Sequence, residues 1–221
     1  KYRYERKYKL SGVDKFNIYE IIKSNPSHFR KKYVKRKINN IYLDTLELNS
    51  YYDNINGISN RKKIRVRWYQ SLFGEIDSNL EIKIKNGTVG NKLIYPLPIF
   101  QLNKVSDSGK INQIIKNSNI PLKIKNIIMH CHVSLINSYE RDYFVSAEED
   151  FRLTLDSNIL NYSPYLNSNK TSNIKNLNQE YILEMKYDKT NQIHAHMVTN
   201  TMKLRVEKNS KYVNGIKEIN T

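Results

Sequence analysis

The stretch KKIRVRWYQ, from Lys62 to Gln70, alternates cations with apolar residues. If it forms a β-strand, Lys63, Arg65 and Arg67 share one face, because successive side chains point to opposite sides of a strand. The other face carries aliphatic residues and Trp68, which we expect in the core. The cations belong either to a solvated face or to the wall of an anion-binding site.

Similar charged faces occur in strand-like stretches far apart in the sequence. On one face, glutamate lies beside lysine in RYERKYKL (Glu5 and Lys7), in NLEIKIKNG (Glu81 and Lys83) and in YILEMKYD (Glu184 and Lys186). In FRLTLDS, Arg152 and Asp156 flank Thr154 on one face, and in SYERDYFV, Arg141 shares a face with two tyrosines. Neighbouring strands hold such side chains about 5 Å apart. Like charges at about that distance repel by roughly 3 kcal/mol at an effective dielectric near 20. One solvated strand face is common in antiparallel sheets, but the repetition favours a face that binds a polyanion.

These strands predict an α+β fold in which an antiparallel β-barrel forms a basic tunnel. The polar faces line the lumen, and the apolar faces pack outward beneath helices. VDKFNIYEIIKSNP predicts one such amphipathic helix, with Phe16, Ile18, Tyr19 and Ile22 on one side and Pro26 after its end. We expect further helices at the C-terminal end. Residues 1–221 are predicted to form a single domain.

Composition favours an anionic partner. The chain of 221 residues has a formal net charge of +16 and 39% hydrophobic residues, so it has enough apolar material for a core. Cys131 is the only cysteine, which excludes an internal disulfide and a cysteine-based zinc site within one chain. Together with the lack of a long apolar stretch, this predicts a cytoplasmic location and no transmembrane segment in this chain.

The carboxylates among the cations are open to two interpretations. Glu5, Glu81 and Glu184 are either ion-pair partners of neighbouring cations or ligands of a divalent ion. Phosphoryl transfer needs such an ion to align the phosphates and to balance their charge. One or two carboxylates with phosphate oxygens are enough to hold Mg²⁺ or Mn²⁺.

An ordered set of motifs resembles the VTC (vacuolar transporter chaperone) domain, the polyphosphate polymerase branch of the triphosphate tunnel metalloenzymes. The set runs through RYERKYKL, INNIYLDT, KKIRVRWY, LEIKIKNG, SYERDYF, FRLTLD, ILEMKYD and EKNSKYVNG, from Arg3 to about Gly215. The R-x-R-W-Y and K-x-S-K-Y pieces are the most specific. The superfamily opens with E-x-E-x-K, whereas Arg3 replaces the first glutamate here, which puts a second metal site in doubt.

The resemblance implies transfer of the ATP γ-phosphate to a growing inorganic polyphosphate chain with Mn²⁺ or Mg²⁺. The residues expected to act on the transferring phosphate are Arg65, Arg67, Lys83, Arg141 and Arg152. Those expected to contact the substrate elsewhere are Lys7, Arg61, Lys92, Lys186, Lys208, Ser210 and Lys211. Those expected to hold the metal are Glu184 and Glu5.

Other functions are kept as alternatives. A sensor of polyphosphate or inositol phosphates would need the cations but not Glu184, and a tripolyphosphatase would use water as the acceptor. FRKKYVKRK could bind nucleic acid, but we interpret it as a basic rim for polyphosphate and expect no specific nucleic acid. His130, His132, His194 and His196 have strand-like i, i+2 spacing, and we assign them no metal. Some relatives work inside membrane complexes, so a membrane-complex partner stays open.

Overall fold

The computed structural model describes residues 3–87, 89–164 and 180–220. It is an α+β fold. The strands are β1 (Arg3–Ser11), β2 (Arg30–Asp44), β3 (Arg61–Tyr69), β4 (Gly74–Ile76), β5 (Ser78–Asn86), β6 (Val89–Pro96), β7 (Phe100–Leu102), β8 (His132–Val145), β9 (Phe151–Tyr162) and β10 (Glu180–Asp188). The α-helices are α1 (Lys15–Lys23), α2 (Asn49–Ile55), α3 (Ile111–Asn117), α4 (Leu122–Ile128), α5 (Gln192–Met202) and α6 (Lys211–Ile219).

Eight strands form one sheet in the order β1-β10-β9-β8-β2-β3-β5-β6, and β4 pairs with β7. The predicted α+β class, the antiparallel pairing and the helices at the C-terminal end are confirmed. The order ends at β1 and β6, so the sheet formed by the described residues is open, whereas the sequence predicted a closed or nearly closed barrel. Alternation within strands defines the faces of a sheet but does not determine whether its edge strands pair.

The chain divides into two compact units. The first comprises Lys1–Arg36, Tyr139–Ile159 and Asn176–Asn209, and the second comprises Lys37–Ser138, Leu160–Lys175 and Ser210–Thr221. The expectation of a single domain stays a prediction. None of the helices among the described residues is long and apolar enough to cross a membrane.

In the first unit, α1 and α5 cover the apolar faces of β1, β9 and β10. The core that they share contains Tyr8, Ile18, Ile22, Leu153, Leu155, Leu183, Met185, Ala195, Val198 and Met202. The charged residues of the same strands lie on the opposite face, as alternation requires. Burial of the aliphatic side chains therefore fixes where the charged face points.

The second unit repeats this arrangement with α3 and α4. Its core contains Ile64, Val66, Trp68, Leu80, Ile82, Ile111, Ile115, Ile124 and Ile128, which confirms the assignment of Trp68 to the core. A smaller cluster joins Tyr212 and Ile216 of α6 to Tyr42 and Leu135.

Two local predictions were wrong. α1 begins after Asp14, whose Oδ1 accepts a hydrogen bond from the backbone N–H of Asn17 at 2.9 Å. Phe16 is 69% exposed, because it lies two residues before the buried Ile18 and therefore on a different side of the helix. His194 and His196 lie on α5 and not on a strand. Residues two apart on a helix do not share a face.

Candidate functional site

In the second unit, the charged residues of β3, β5 and β6 lie in rows across the strands. One row places Lys63, Lys83 and Lys92 opposite one another, and the next places Arg65 opposite Glu81. Among the paired residues described on this face of the three strands, Glu81 is the only carboxylate. Like charges in direct opposition destabilise a sheet, so this face is suited to an anion.

Glu81 gathers the nearest cations into what we call the Glu81 cluster, made of Glu81, Arg65, Arg67 and Lys92. Arg65 donates to Oε2 from Nε at 2.7 Å and from Nη2 at 2.6 Å, and Lys92 Nζ donates to Oε1 at 2.5 Å. Arg67 Nη1 lies 3.8 Å from Oε2. Burial is the largest influence and raises the pKa of Glu81, but Arg65, Arg67 and Lys92 outweigh it and lower that pKa to about 2. The ionised carboxylate thus holds the cations in place.

Buried asparagines hold Arg67 from its other side. Arg67 Nε donates to Asn40 Oδ1 at 2.9 Å, and Asn40 Nδ2 donates to Asn137 Oδ1 at 3.3 Å. Asn137 Nδ2 in turn donates to Asn161 Oδ1 at 2.7 Å. The sequence analysis missed Asn40. Its signal is an asparagine in the middle of a long strand, where this residue type is depleted.

The other predicted residues of the second unit have separate positions. Lys63 Nζ donates to the hydroxyl of Ser210 at 2.9 Å, and Ser210 Oγ also caps α6 by accepting from the backbone N–H of Val213. Arg61 donates to the carbonyl of Ile58 at 2.7 Å and so stabilises the turn after α2. Lys83 is exposed, and Lys211 is half-buried in the first turn of α6.

The first unit contains a second arrangement, the Glu184 cluster, made of Glu184, Lys7, Lys186 and Glu5. Lys186 Nζ lies 2.5 Å from Glu184 Oε1, and Lys7 Nζ lies 3.7 Å from Oε2 and 2.8 Å from Glu5 Oε1. Burial raises the pKa of Glu184, but Lys186, Lys7 and Arg141 outweigh burial and hold the pKa well below its ordinary value. Glu184 is therefore ionised although it is nearly buried.

Arg141 forms a two-point ion pair near this cluster. Its Nε and Nη2 donate to the fully buried Asp156 at 2.5 and 2.7 Å. Its guanidinium also lies 5.3 Å from the centre of the Tyr139 ring. Arg152 is exposed and lies opposite Lys186 in the register, and Lys208 is exposed.

The Glu184 cluster fits a divalent ion only if the substrate supplies further ligands. No group of three or more His, Cys, Asp or Glu side chains with suitable spacing occurs in the described part of the chain. Glu184 and Glu5 both contact Lys7, and the buried hydroxyl of Thr154, opposite Glu184, has no hydrogen-bond partner. Two carboxylates, completed by phosphate oxygens, suit Mg²⁺ or Mn²⁺. The four histidines considered above are exposed.

The structure thus brings the predicted residues together within each unit. Arg65, Arg67 and Lys92 surround Glu81, and Lys7 and Lys186 surround Glu184. That residues of both clusters line one lumen stays a prediction, as do their roles. The side chain of Arg3 lies outside the described part of the structure.

Comparisons with known proteins agree with this fold. The family model of the VTC domain matches residues 3–220. A comparison with curated proteins finds no matching sequence. Among solved structures, a Vibrio parahaemolyticus protein assigned as an adenylate cyclase is similar, with 13% identity, a TM-score of 0.51, and coverage of 97% of this chain and 98% of that one.

Two further solved structures are similar to this chain to the same degree. A protein from Pyrococcus horikoshii is 12% identical, with a TM-score of 0.50 over 97% of this chain and 99% of that one. A protein from Hippeastrum, assigned as an adenylyl cyclase and with a dominant triphosphatase activity, is 13% identical, with a TM-score of 0.50 over 97% and 96%. At these identities the likeness concerns the fold alone.

The fold is that of the triphosphate tunnel proteins, a superfamily whose members use divalent metals. Within it, the chain belongs to the VTC domain family, whose model covers nearly its whole length.

Proposed function

We propose that the chain is a metal-dependent polyphosphate polymerase that transfers the γ-phosphate of ATP to a growing inorganic polyphosphate chain. The observation that carries this proposal is the row Lys63, Lys83 and Lys92 beside Arg65 and Arg67, with Glu81 as the only carboxylate among the paired residues described on that face. A chain of phosphates would place a negative charge opposite each of these cations. Membership of the VTC family supports the same substrate class.

The reaction needs positioning more than proton transfer. A terminal oxygen of the polyphosphate chain attacks the γ-phosphorus of ATP, the bond from that phosphorus to the bridging oxygen breaks, and ADP leaves. The attacking oxygen is already ionised, so no side-chain base is required. Arg65 and Arg67 would hold the transferring phosphate with paired N–H donors, a geometry that lysine cannot match.

The metal would be held by Glu184 and Glu5. When bound, Mn²⁺ or Mg²⁺ would supply positive charge that neutralises the phosphates. Lys186 and Lys7 keep Glu184 ionised and so able to hold the ion. With substrate present, their ammonium groups would donate to phosphate oxygens and leave the carboxylate to the metal.

A tripolyphosphatase is the second candidate, because the similar Hippeastrum protein has a dominant triphosphatase activity. The same cations would then hold a triphosphate while water attacks the terminal phosphorus. The two reactions differ only in the acceptor.

One experiment separates these functions. The purified protein is incubated with ATP or tripolyphosphate and Mn²⁺, and long polyphosphate is detected on a gel while free phosphate is measured in solution. Long polymer with ADP supports the polymerase, and free phosphate without polymer supports the phosphatase. Binding of tripolyphosphate without turnover would refute both and leave a sensor. Lys23→Ala is a suitable control variant, because Lys23 forms an exposed ion pair with Glu20 outside both clusters and outside the FRKKYVKRK rim, so it should keep the activity of the unmodified protein.

A further inference from the structure

Thr154 occupies an unusual position on the charged face of β9. It lies between Arg152 and Asp156 in the alternation of the strand and directly opposite Glu184 of β10. Its Oγ1 is buried and has no hydrogen-bond partner. Most buried side-chain polar atoms have a partner, so each exception needs an explanation.

The groups around Thr154 indicate what kind of hydrogen-bond partner its hydroxyl lacks. Glu184 uses one carboxylate oxygen on Lys186 at 2.5 Å, and its other oxygen lies 3.7 Å from Lys7. Asp156 accepts two hydrogen bonds from Arg141. One oxygen of Glu184 is thus paired with Lys186 and Asp156 is paired with Arg141, and Thr154 Oγ1 makes no hydrogen bond to either carboxylate. Its proton is therefore available to an acceptor that arrives with a ligand.

We propose that Thr154 is a substrate-contacting residue whose hydroxyl donates a hydrogen bond to a phosphate oxygen of the bound triphosphate or polyphosphate. This inference rests on the proposed function for the class of ligand. A phosphate oxygen is a strong acceptor, and the cations Lys7, Lys186 and Arg152 on the same face attract the group that carries it. The hydroxyl adds direction to an otherwise electrostatic contact, because lysine ammonium groups donate in many orientations.

The test compares Thr154→Val with Thr154→Ser. Valine has nearly the shape of threonine but replaces the hydroxyl by a methyl group, whereas serine keeps the hydroxyl. Binding of tripolyphosphate is measured by calorimetry in the presence of a metal chelator, and the thermal melt of each ligand-free variant is recorded. We expect Thr154→Val to bind about tenfold more weakly, the loss of one hydrogen bond to a charged acceptor, and Thr154→Ser to bind within a few-fold of the unmodified protein.

The melts provide an independent readout. Loss of an unsatisfied buried hydroxyl should leave the Tm of ligand-free Thr154→Val unchanged or raise it. A lower Tm would overturn the inference, because it would mean that the hydroxyl has a partner within the protein. Equal binding by Thr154→Val and the unmodified protein would also overturn it. If the unmodified protein itself fails to bind tripolyphosphate, the proposed function fails together with this inference.

Discussion

Replacement of Glu81 by glutamine removes the negative charge at the centre of the Glu81 cluster while keeping the shape of the side chain. The amide oxygen can still accept one of the present hydrogen bonds, but Arg65, Arg67 and Lys92 lose their shared counter-charge. These cations then repel one another, and solvent screens the repulsion only weakly because the position of Glu81 is only 6% exposed. We therefore expect Glu81→Gln to fold and to be less stable than the unmodified protein.

The size of the loss follows from the pKa of Glu81. A pKa of about 2 in the folded protein, against 4.5 for an ordinary glutamate, corresponds to about 3 kcal/mol at about 1.4 kcal/mol per pH unit. Since the folded pKa is the lower one, this stabilisation is complete above pH 4.5 and disappears as the pH falls towards 2. The difference between the two proteins should be about 3 kcal/mol at pH 7 and should shrink in the same acid range.

Urea denaturation at a series of pH values measures this difference directly. Glu149→Gln is the matched control, because Glu149 also pairs with a lysine and an arginine, Lys32 and Arg30, but lies at the surface; it should have little effect, as is usual for exposed pairs. A stable Glu81→Gln at pH 7, or a deficit that persists unchanged below pH 3, would refute the assignment of Glu81 as the ionised centre of the cluster.

Three other substitutions test the remaining contacts. Arg67→Ala should abolish phosphate transfer. It should also lower the free energy of unfolding by about 1–3 kcal/mol, because it leaves Asn40 Oδ1 buried without its donor. A turnover assay and a urea melt measure these two effects, and full activity would exclude Arg67 from the site. Glu184→Gln should weaken Mn²⁺ binding in the presence of tripolyphosphate but not the binding of tripolyphosphate alone, as calorimetry can measure, and unchanged metal affinity would contradict the metal assignment. Gly215→Ala should lower stability by about 1–3 kcal/mol, because its Cβ would lie 2.5 Å from Leu135 Cδ2; a thermal melt equal to that of the unmodified protein would mean that α6 can shift without cost.

Strand faces could be predicted from the sequence because alternation is a property of the chain itself. In the structure, the buried Trp68 lies on the opposite face of β3 from Lys63, Arg65 and Arg67, as the sequence pattern predicted. The same reasoning succeeds for Glu184, whose neighbours Leu183 and Met185 are fully buried. In each case, the aliphatic residues are buried on one face of the strand, so the charged residues lie on the other face.

Partners between strands could not be predicted, because they depend on the register. Nothing in the local sequence predicts that Lys92 reaches Glu81 from the adjacent strand β6. Asn40 is placed against Arg67 by the pairing of β2 with β3. The prediction for Phe16 failed for a different reason, because residues two apart on a helix, such as Phe16 and Ile18, do not share a face.

The two clusters have one feature in common that bears on how an anion would bind. In each, an ionised glutamate with a lowered pKa is held by cations, Glu81 by arginines and a lysine and Glu184 by lysines. Such a carboxylate holds long cationic side chains in defined positions before any ligand arrives, which reduces the side-chain entropy lost on binding. It also competes with an incoming phosphate for the same donors. Replacing either glutamate by glutamine should therefore alter affinity for tripolyphosphate through two opposing effects, less competition and poorer preorganisation. Arg65 contacts one oxygen of the buried Glu81 through both Nε and Nη2. The effect of replacing Glu81 should therefore depend more on preorganisation than that of replacing Glu184, whose lysine partners have flexible stems.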